Sequence, residues 1–155
     1  MKIYIYSILF LYLLAMSIYD MKRKEIHIGA TLLTGIVLAA IRVIQFFHEG
    51  VSMEMVLGVV PGLLVLILSY ATHGKIGMGD GFVMMVCGMV LSLSDNLFLL
   101  FFALVMSAAT GAVLMVFRRV KRSYTMPFVP FICVSFGAAF LWEILGAVAL
   151  TIKKS

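Results

Sequence analysis

The chain has 155 residues, of which 64% are hydrophobic and only 12% are charged, whereas a soluble domain has roughly 25% charged residues. A water-soluble fold cannot bury that much apolar surface, so the composition predicts an integral membrane protein. The formal net charge is +5. Lys and Arg fall in short clusters between apolar segments, however, which argues against a nucleic-acid partner. No linker composition interrupts the chain, and we expect a single membrane-embedded domain over 1–155.

Six apolar segments are long enough, or nearly long enough, to cross a bilayer. Crossing about 30 Å of hydrocarbon at 1.5 Å per residue takes roughly 20 apolar residues. Backbone groups in lipid must be satisfied within the segment, and the segments lack the alternation of a barrel strand. The sequence therefore predicts an all-α, polytopic membrane protein of about six transmembrane helices. Their expected ranges are 3–19, 26–47, 53–71, 81–93, 97–117 and 128–152.

The first segment has an alternative interpretation as a cleaved signal peptide. Residues 15–17 resemble a small-x-small processing site after an apolar stretch. Only Lys2 precedes the segment, whereas Lys22, Arg23 and Lys24 follow it. This charge order is the reverse of that in a secretory signal, and it favours an uncleaved helix with its amino terminus outside.

The distribution of basic residues predicts which loops face the cytoplasm. With the amino terminus outside, the cytoplasmic loops hold most of the Lys and Arg residues, as the positive-inside rule requires. These are Lys22, Arg23, Lys24, Lys75, Arg118, Arg119, Lys121 and Arg122. Lys153 and Lys154 oppose this orientation. It places Asp20, at the end of the first helix, and Asp80, at the start of the fourth, on the same cytoplasmic side.

The other five acidic residues have ordinary explanations. We expect Glu49 and Asp95 in outer loops, the latter in a connection over 94–96, and Glu25 among the bases of the first loop. Glu54 and Glu143 lie near the outer ends of their helices, where an ion pair with Arg42 is the simpler interpretation. Ionisable groups at membrane depth are functional candidates by default, so attention falls on the two remaining aspartates.

Asp80 lies among Gly77, Gly79 and Gly81, where the chain enters a helix. Glycine at such a point permits a positive φ and lets another part of the chain approach closely. The alternative is an ordinary turn in which Asp80 is the helix N-cap, a role that aspartate fills well.

Two nearby carboxylates at a membrane boundary suit aspartic proteolysis. Both cannot easily ionise, so the pair holds one shared proton near neutral pH. The ionised member takes a proton from the attacking water, and the protonated member donates to the scissile carbonyl oxygen. This chemistry needs no metal and no cofactor. A metal site from His27, His73 and the two aspartates is the competing arrangement, although no H-E-x-x-H motif or phosphate-binding loop is present.

Cys87 and Cys133 both lie inside apolar segments and have no metal-ligand spacing. We expect them to be buried structural thiols.

Three sequence elements together resemble the type IV prepilin peptidases, which are GxGD-type intramembrane aspartic proteases. They are Asp-Met-Lys-Arg-Lys-Glu-Ile at 20–26, Gly-Met-Gly-Asp at 77–80 and Pro-Phe-Val-Pro-Phe at 127–131. The resemblance implies an enzyme of a prokaryotic plasma membrane that cleaves the basic leader from pilin, pseudopilin or archaellin precursors. Asp20 and Asp80 match the catalytic pair, which would face the cytoplasm.

The resemblance also implies that several neighbours bind substrate or shape the site, namely Lys22, Ile26, Gly77, Gly79, Gly81, Pro127 and Pro130. The chain lacks the cytoplasmic insert with paired C-x-x-C motifs of N-methylating members, and so resembles the short form, as in archaeal preflagellin peptidases. Two positions depart from the family pattern: His27 stands where proline is common, and Phe82 where lysine is common. The competing hypothesis is a non-catalytic membrane protein or a small ion- or proton-coupled transporter that uses the same aspartates.

Overall fold

The structure, a computed structural model, describes residues 2–23, 28–49, 53–73, 77–117 and 126–154. Over these ranges the chain is helical and contains no strand, which confirms the all-α expectation. The helices are α1 (Lys2–Arg23), α2 (Ile28–Glu49), α3 (Met53–Leu57), α4 (Val60–Ala71), α5 (Met78–Gly88), α6 (Leu93–Val116) and α7 (Val129–Lys154).

Three of the described helices are long and apolar enough to cross a membrane. The qualifying stretches are Ile3–Lys22 in α1, Leu93–Val116 in α6 and Val129–Gly146 in α7. The apolar stretches of α2, α4 and α5 are shorter: Gly29–Ile44, Val60–Ala71 and Met78–Gly88. Large apolar side chains are exposed along α6, among them Phe98, Phe101 and Phe102, as is typical of a surface that contacts lipid.

The third predicted segment, 53–71, is not one continuous helix, and that prediction was wrong. The chain turns at Gly58 and Val59, between α3 and α4. Pro61 lies in the first turn of α4, where its missing N–H costs no intrahelical hydrogen bond. Apolarity alone hid this break, because a turn buried among helices is as hydrophobic as the helices themselves.

The predicted loop over 94–96 was also wrong, because these residues belong to the first turn of α6. Ser92 is the N-cap: its Oγ atom accepts a hydrogen bond from the Asp95 amide at 3.2 Å. The same hydroxyl donates to Oδ2 of Asp95 at 2.7 Å. Ser-x-x-Asp is a capping pattern that marks a helix start, so the sequence itself carried the signal for a helix at this position. Asp95 is thus at a helix end rather than in a loop.

Helices α4 and α5 pack closely through glycines. A Cβ atom added at Gly81 would lie 2.6 Å from Cγ of Leu66. Cβ atoms at Gly62 and Gly88 would overlap the backbones of Met85 and Gly58, respectively. The glycines therefore let the two backbones approach each other, and the antiparallel pairing puts the first turn of α5 beside the end of α4.

The core of the bundle is centred on α5. Val83, Met84 and Cys87 of this helix are fully buried. Cys133 of α7 is also buried, and both cysteines are free thiols, which confirms the prediction of buried cysteines.

Helices α1 and α7 pack through an aromatic cluster of Tyr6, Phe10, Phe136 and Phe140, whose ring centroids lie 6.0–6.4 Å apart. Tyr6 near the start of α1 meets the middle of α7 in this cluster, so the two helices run antiparallel. The end of α1 and the start of α7 consequently meet at one end of the bundle.

Candidate active site

Three helix ends converge at one end of the bundle. Asp20 lies near the end of α1, Asp80 in the first turn of α5 and Val129 at the start of α7. The main-chain N–H of Val129 donates a 3.2 Å hydrogen bond to Oδ2 of Asp20, and the Phe128 amide interacts with the same carboxyl. The Asp20 carboxyl is close enough to act electrostatically on Asp80. The two aspartates, separated by a long stretch of sequence, therefore lie at the same end of the bundle.

Asp20 is buried, with 5% of its surface exposed. Ser17, one helical turn earlier, is buried as well. An acid enclosed this far at the end of an apolar helix needs a hydrogen-bond donor. The start of α7 supplies one, because the first amides of a helix have no carbonyl partner within the helix.

Asp80 is not the N-cap of α5, and that alternative was wrong. The N-cap is Gly77, and Asp80 is the third residue of the helix. Asp80 precedes the apolar core of its helix and lies outside the three long apolar stretches. Burial, and secondarily the nearby Asp20 carboxyl, raise the pKa of Asp80 to about 7. The carboxyl can therefore carry a proton near neutral pH.

The glycines around Asp80 provide space rather than a left-handed backbone. Gly77 has φ −63° and ψ 123°, and neither it nor Gly81 has a positive φ. A Cβ atom at Gly77 would lie 2.9 Å from Oδ2 of Asp80, whereas Gly81 makes room for Leu66. Gly79 is the second residue of α5 and is half-buried. The sequence suggested two reasons for these glycines, a positive φ or the close approach of another group. At Gly77 and Gly81 the structure shows the close approach.

The remaining predicted site residues lie at the same end of the bundle or outside the described residues. Lys22 is exposed, two residues beyond Asp20, and Pro127 and Pro130 are half-buried on either side of the two amides that face Asp20. Phe82 is half-buried in α5. Ile26 and His27 lie outside the described residues.

The alternative metal site has no described ligand set. Within the described ranges no group of three or more His, Cys, Asp or Glu side chains is placed to hold a metal ion. His73 is exposed at the end of α4 and has a left-handed backbone with φ 51°. His27, the other histidine of that hypothesis, is not among the described residues.

Sequence reasoning missed the Val129 amide. The segment 127–131 was singled out for its prolines, but a main-chain donor leaves no mark in the residue types. The available signal was the position of this segment at a helix start, where free amides attract a carboxylate.

The opposite end of the bundle holds a second group of polar side chains. Nε of Arg42 donates to the Met89 carbonyl at 2.7 Å, and Nη2 donates to the Val90 carbonyl, just past the end of α5, where a cation is favourable. A cavity of about 360 Å³ lies nearby, lined mainly by aromatic and aliphatic side chains together with Asp95 and Glu143. Of the two acids that we expected to pair with Arg42, Glu143 lines this cavity, and the side chain of Glu54 lies outside the described part of the chain.

A comparison with models of known protein families shows to which family the chain belongs. The sequence model described as the type IV leader peptidase family matches residues 7–116, which is more than half of the chain. The chain belongs to the type IV leader peptidase family. The resemblance to type IV prepilin peptidases is thereby confirmed, and this family member is a peptidase in its general role. The match includes Asp20 and Asp80 but ends before Val129. Neither the curated proteins nor the solved structures provide a match.

Proposed function

We propose that this peptidase is an aspartic endopeptidase that cleaves the basic leader of prepilin-like precursors at the cytoplasmic membrane face. Asp20 and Asp80 are its catalytic pair. The observation that carries the proposal is the juxtaposition of the two acids at one end of an apolar bundle. Burial and the neighbouring Asp20 favour a proton on Asp80. Family membership supports the leader-peptidase role in general.

The pair performs hydrolysis with one proton shared between two carboxyls. The ionised carboxyl takes a proton from water as the water oxygen bonds to the scissile carbonyl carbon. The protonated carboxyl gives its proton to the carbonyl oxygen, which yields a gem-diol. In the collapse, the second carboxyl takes a proton back from a gem-diol hydroxyl while the first protonates the leaving nitrogen. The C–N bond breaks, and both carboxyls return to their initial states.

The substrate class follows from the position of the pair. Prepilin-like precursors carry a short basic leader before an apolar helix, so their cleavage point lies near a membrane surface. In the proposed topology, α2, α3 with α4, and the part of α5 that follows Asp80 occupy the membrane beside the three long helices, which makes six segments. Tyr4 and Trp142 near one end and Tyr70 near the other are exposed, as in the aromatic belts of membrane proteins. This arrangement supports a position of the aspartates at the basic, cytoplasmic surface of a prokaryotic plasma membrane.

The other site-shaping residues are proposed from their positions and from the family resemblance. Gly77 leaves space for the Asp80 carboxyl and Gly81 leaves space for Leu66, and Gly79 lies between them in the chain. Lys22, Pro127 and Pro130 are assigned because they lie at the same end of the bundle, and Ile26 is assigned from the family resemblance.

The test is cleavage of a co-expressed precursor that has a basic leader and an apolar helix. Asp20→Asn and Asp80→Asn are each expected to lower the cleavage rate at least ~100-fold, the lower range for positioned acid–base catalysis. Asp95→Asn is the matched control, since it makes the same change at the other end of the bundle. Full cleavage by both dyad variants would refute the proposal. If purified protein in liposomes then gave ion-dependent flux without cleavage, the transporter hypothesis would replace it.

A further inference from the structure

We propose that the first turn of α7 divides the two roles within the aspartate pair. The main-chain amides of Phe128 and Val129 hold Asp20 as the ionised base, which leaves Asp80 as the protonated acid. This inference rests on the proposed endopeptidase function. It assigns to a main-chain segment beyond the family match a positioning role in the reaction.

The hydrogen bond to Asp20 comes from a helix start. Val129 is the first residue of α7, and the Phe128 carbonyl accepts from the Phe131 amide at 3.0 Å, so Phe128 is the N-cap residue. The amide of Val129 therefore has no acceptor within its own helix. Its donor points to Oδ2 of Asp20 at 3.2 Å, at the positive end of the helix dipole.

Such a contact favours the charged carboxylate over the neutral acid. Hydrogen bonds to an ionised acceptor are roughly twice as strong as those between neutral groups. Asp20 is nearly inaccessible; its burial opposes ionisation, and the two amides of α7 offset part of that cost. The amides of α7 consequently stabilise Asp20 in the form that accepts a proton from water.

Asp80 has a different environment. Within the described part of the chain, no donor is hydrogen-bonded to its carboxyl. Burial and the Asp20 carboxyl both oppose its ionisation. Since the pair cannot easily ionise twice, the proton is retained by Asp80, whose carboxyl receives no hydrogen bond from the described residues.

Few other titratable groups of the described chain lie near Asp20. Asp80 faces it from α5. On α1 itself, Tyr19 and the exposed Lys22 lie within a turn, and α7 contributes Cys133 one turn after Val129. Among the described residues, the α7 amides are therefore the groups that favour the ionised form of Asp20, against the effect of its burial.

The division of roles orders the proton transfers. Asp20 takes the proton of the attacking water, and Asp80 protonates the scissile carbonyl oxygen as the new C–O bond forms. In the collapse Asp20 gives its proton to the leaving nitrogen, and Asp80 recovers one from the gem-diol. No other reactant is needed.

The decisive variant is Val129→Pro, because proline removes the N–H and is well tolerated at the first position of a helix. Val129→Ala is the matched control: it truncates the same buried side chain but keeps the amide. Relative to the control, we expect Val129→Pro to cleave a purified precursor ~10-fold more slowly at mildly acidic pH. The acidic limb of its kcat/KM profile should move to higher pH by about one unit, the size expected for one amide donor.

The pH profile distinguishes a positioning role from a structural one. If Val129 had only a structural role, both variants would cleave more slowly, but the acidic limb of the kcat/KM profile would stay at the same pH. Coincident limbs for the proline and alanine variants would overturn the inference. The endopeptidase function itself fails only if Asp20→Asn and Asp80→Asn retain cleavage, so the two failures are distinguishable.

A spectroscopic measurement covers the case in which Val129→Pro does not fold. Infrared difference spectra at mildly acidic pH report a protonated carboxyl group directly. The band is expected to disappear in Asp80→Asn and to persist in Asp20→Asn. The reverse pattern, or identical spectra for the two variants, would contradict the assignment of acid and base.

Discussion

A Cβ atom at Gly77 would lie 2.9 Å from Oδ2 of Asp80, closer than real Cβ atoms come to a carboxylate oxygen. Gly77→Ala is therefore expected to displace the Asp80 carboxyl and to lower kcat/KM by ~10-fold or more, since a misplacement of about 1 Å costs on the order of 100-fold. Stability should change little, because Gly77 is exposed at a helix start. Cleavage kinetics and thermal unfolding in detergent measure the two effects separately.

Gly111 offers a matched control for that experiment. A Cβ atom there would meet nothing within 4 Å, and the residue lies inside α6. Gly111→Ala should leave cleavage unchanged and stabilise the helix by about 0.5–1 kcal/mol through higher helix propensity. Equal activities of the Gly77 and Gly111 variants would show that the space at Gly77 is irrelevant to catalysis.

The close packing of α4 on α5 predicts that Gly81→Ala is destabilising. Its methyl group would lie 2.6 Å from Cγ of Leu66 and 3.0 Å from the Leu66 backbone nitrogen. The helices must then separate, at a cost of about 1–3 kcal/mol, and Asp80 moves with α5. Denaturant unfolding and cleavage should both be impaired. Normal stability of Gly81→Ala would contradict the close packing of α4 against α5 at this position.

Asn96 joins three parts of the bundle. Its Nδ2 atom donates to the Gly58 carbonyl at 2.7 Å and to the Met84 carbonyl at 3.2 Å, in a fully buried position. Asn96→Leu keeps the approximate volume but removes both donors, and should lower the free energy of unfolding by about 1–3 kcal/mol. Thr110→Val, which removes an exposed hydroxyl bonded only to its own helix, should cost less than about 0.5 kcal/mol. Similar losses for both variants would argue against the buried bridge.

The protonation of Asp80 predicts how stability and activity depend on pH. Its pKa rises from 3.8 to about 7 in the folded protein, first because of burial and then because of Asp20. The folded state therefore holds a proton that the unfolded state releases, so the stabilising contribution is complete below 3.8 and disappears as the pH rises through about 7. Cleavage should decline over the same upper range, as the acid is lost.

Unfolding measured at several pH values in the wild type and in Asp80→Asn tests this dependence. The variant should show a flatter stability profile between those two pKa values. An unchanged profile in Asp80→Asn would mean that another group is responsible.

Much of the molecule could be predicted from the sequence because the responsible interactions are local. The apolar segments predicted a helical membrane protein, since hydropathy and helix length depend only on neighbouring residues. Short motifs around Asp20 and Asp80 indicated the family, which the match over 7–116 confirmed. Two local predictions were wrong. The turn at 58–59 was missed because its surroundings are apolar, and the helix start at 94–96 was predicted as a loop because the Ser-x-x-Asp cap was overlooked.

Residue types and local patterns were sufficient to predict the membrane class, the helical fold and the family, and to single out Asp20 and Asp80 as candidates. The surroundings of those two acids came only from the packing of distant helices. The contact of Asp20 with the Val129 amide joins residues 109 positions apart, and it depends on the antiparallel packing of α1 and α7. A main-chain donor has no residue type by which a sequence could reveal it. The space that Gly77 leaves for Asp80 likewise depends on the geometry of the helix start, because the reason for a glycine lies in its neighbours in space.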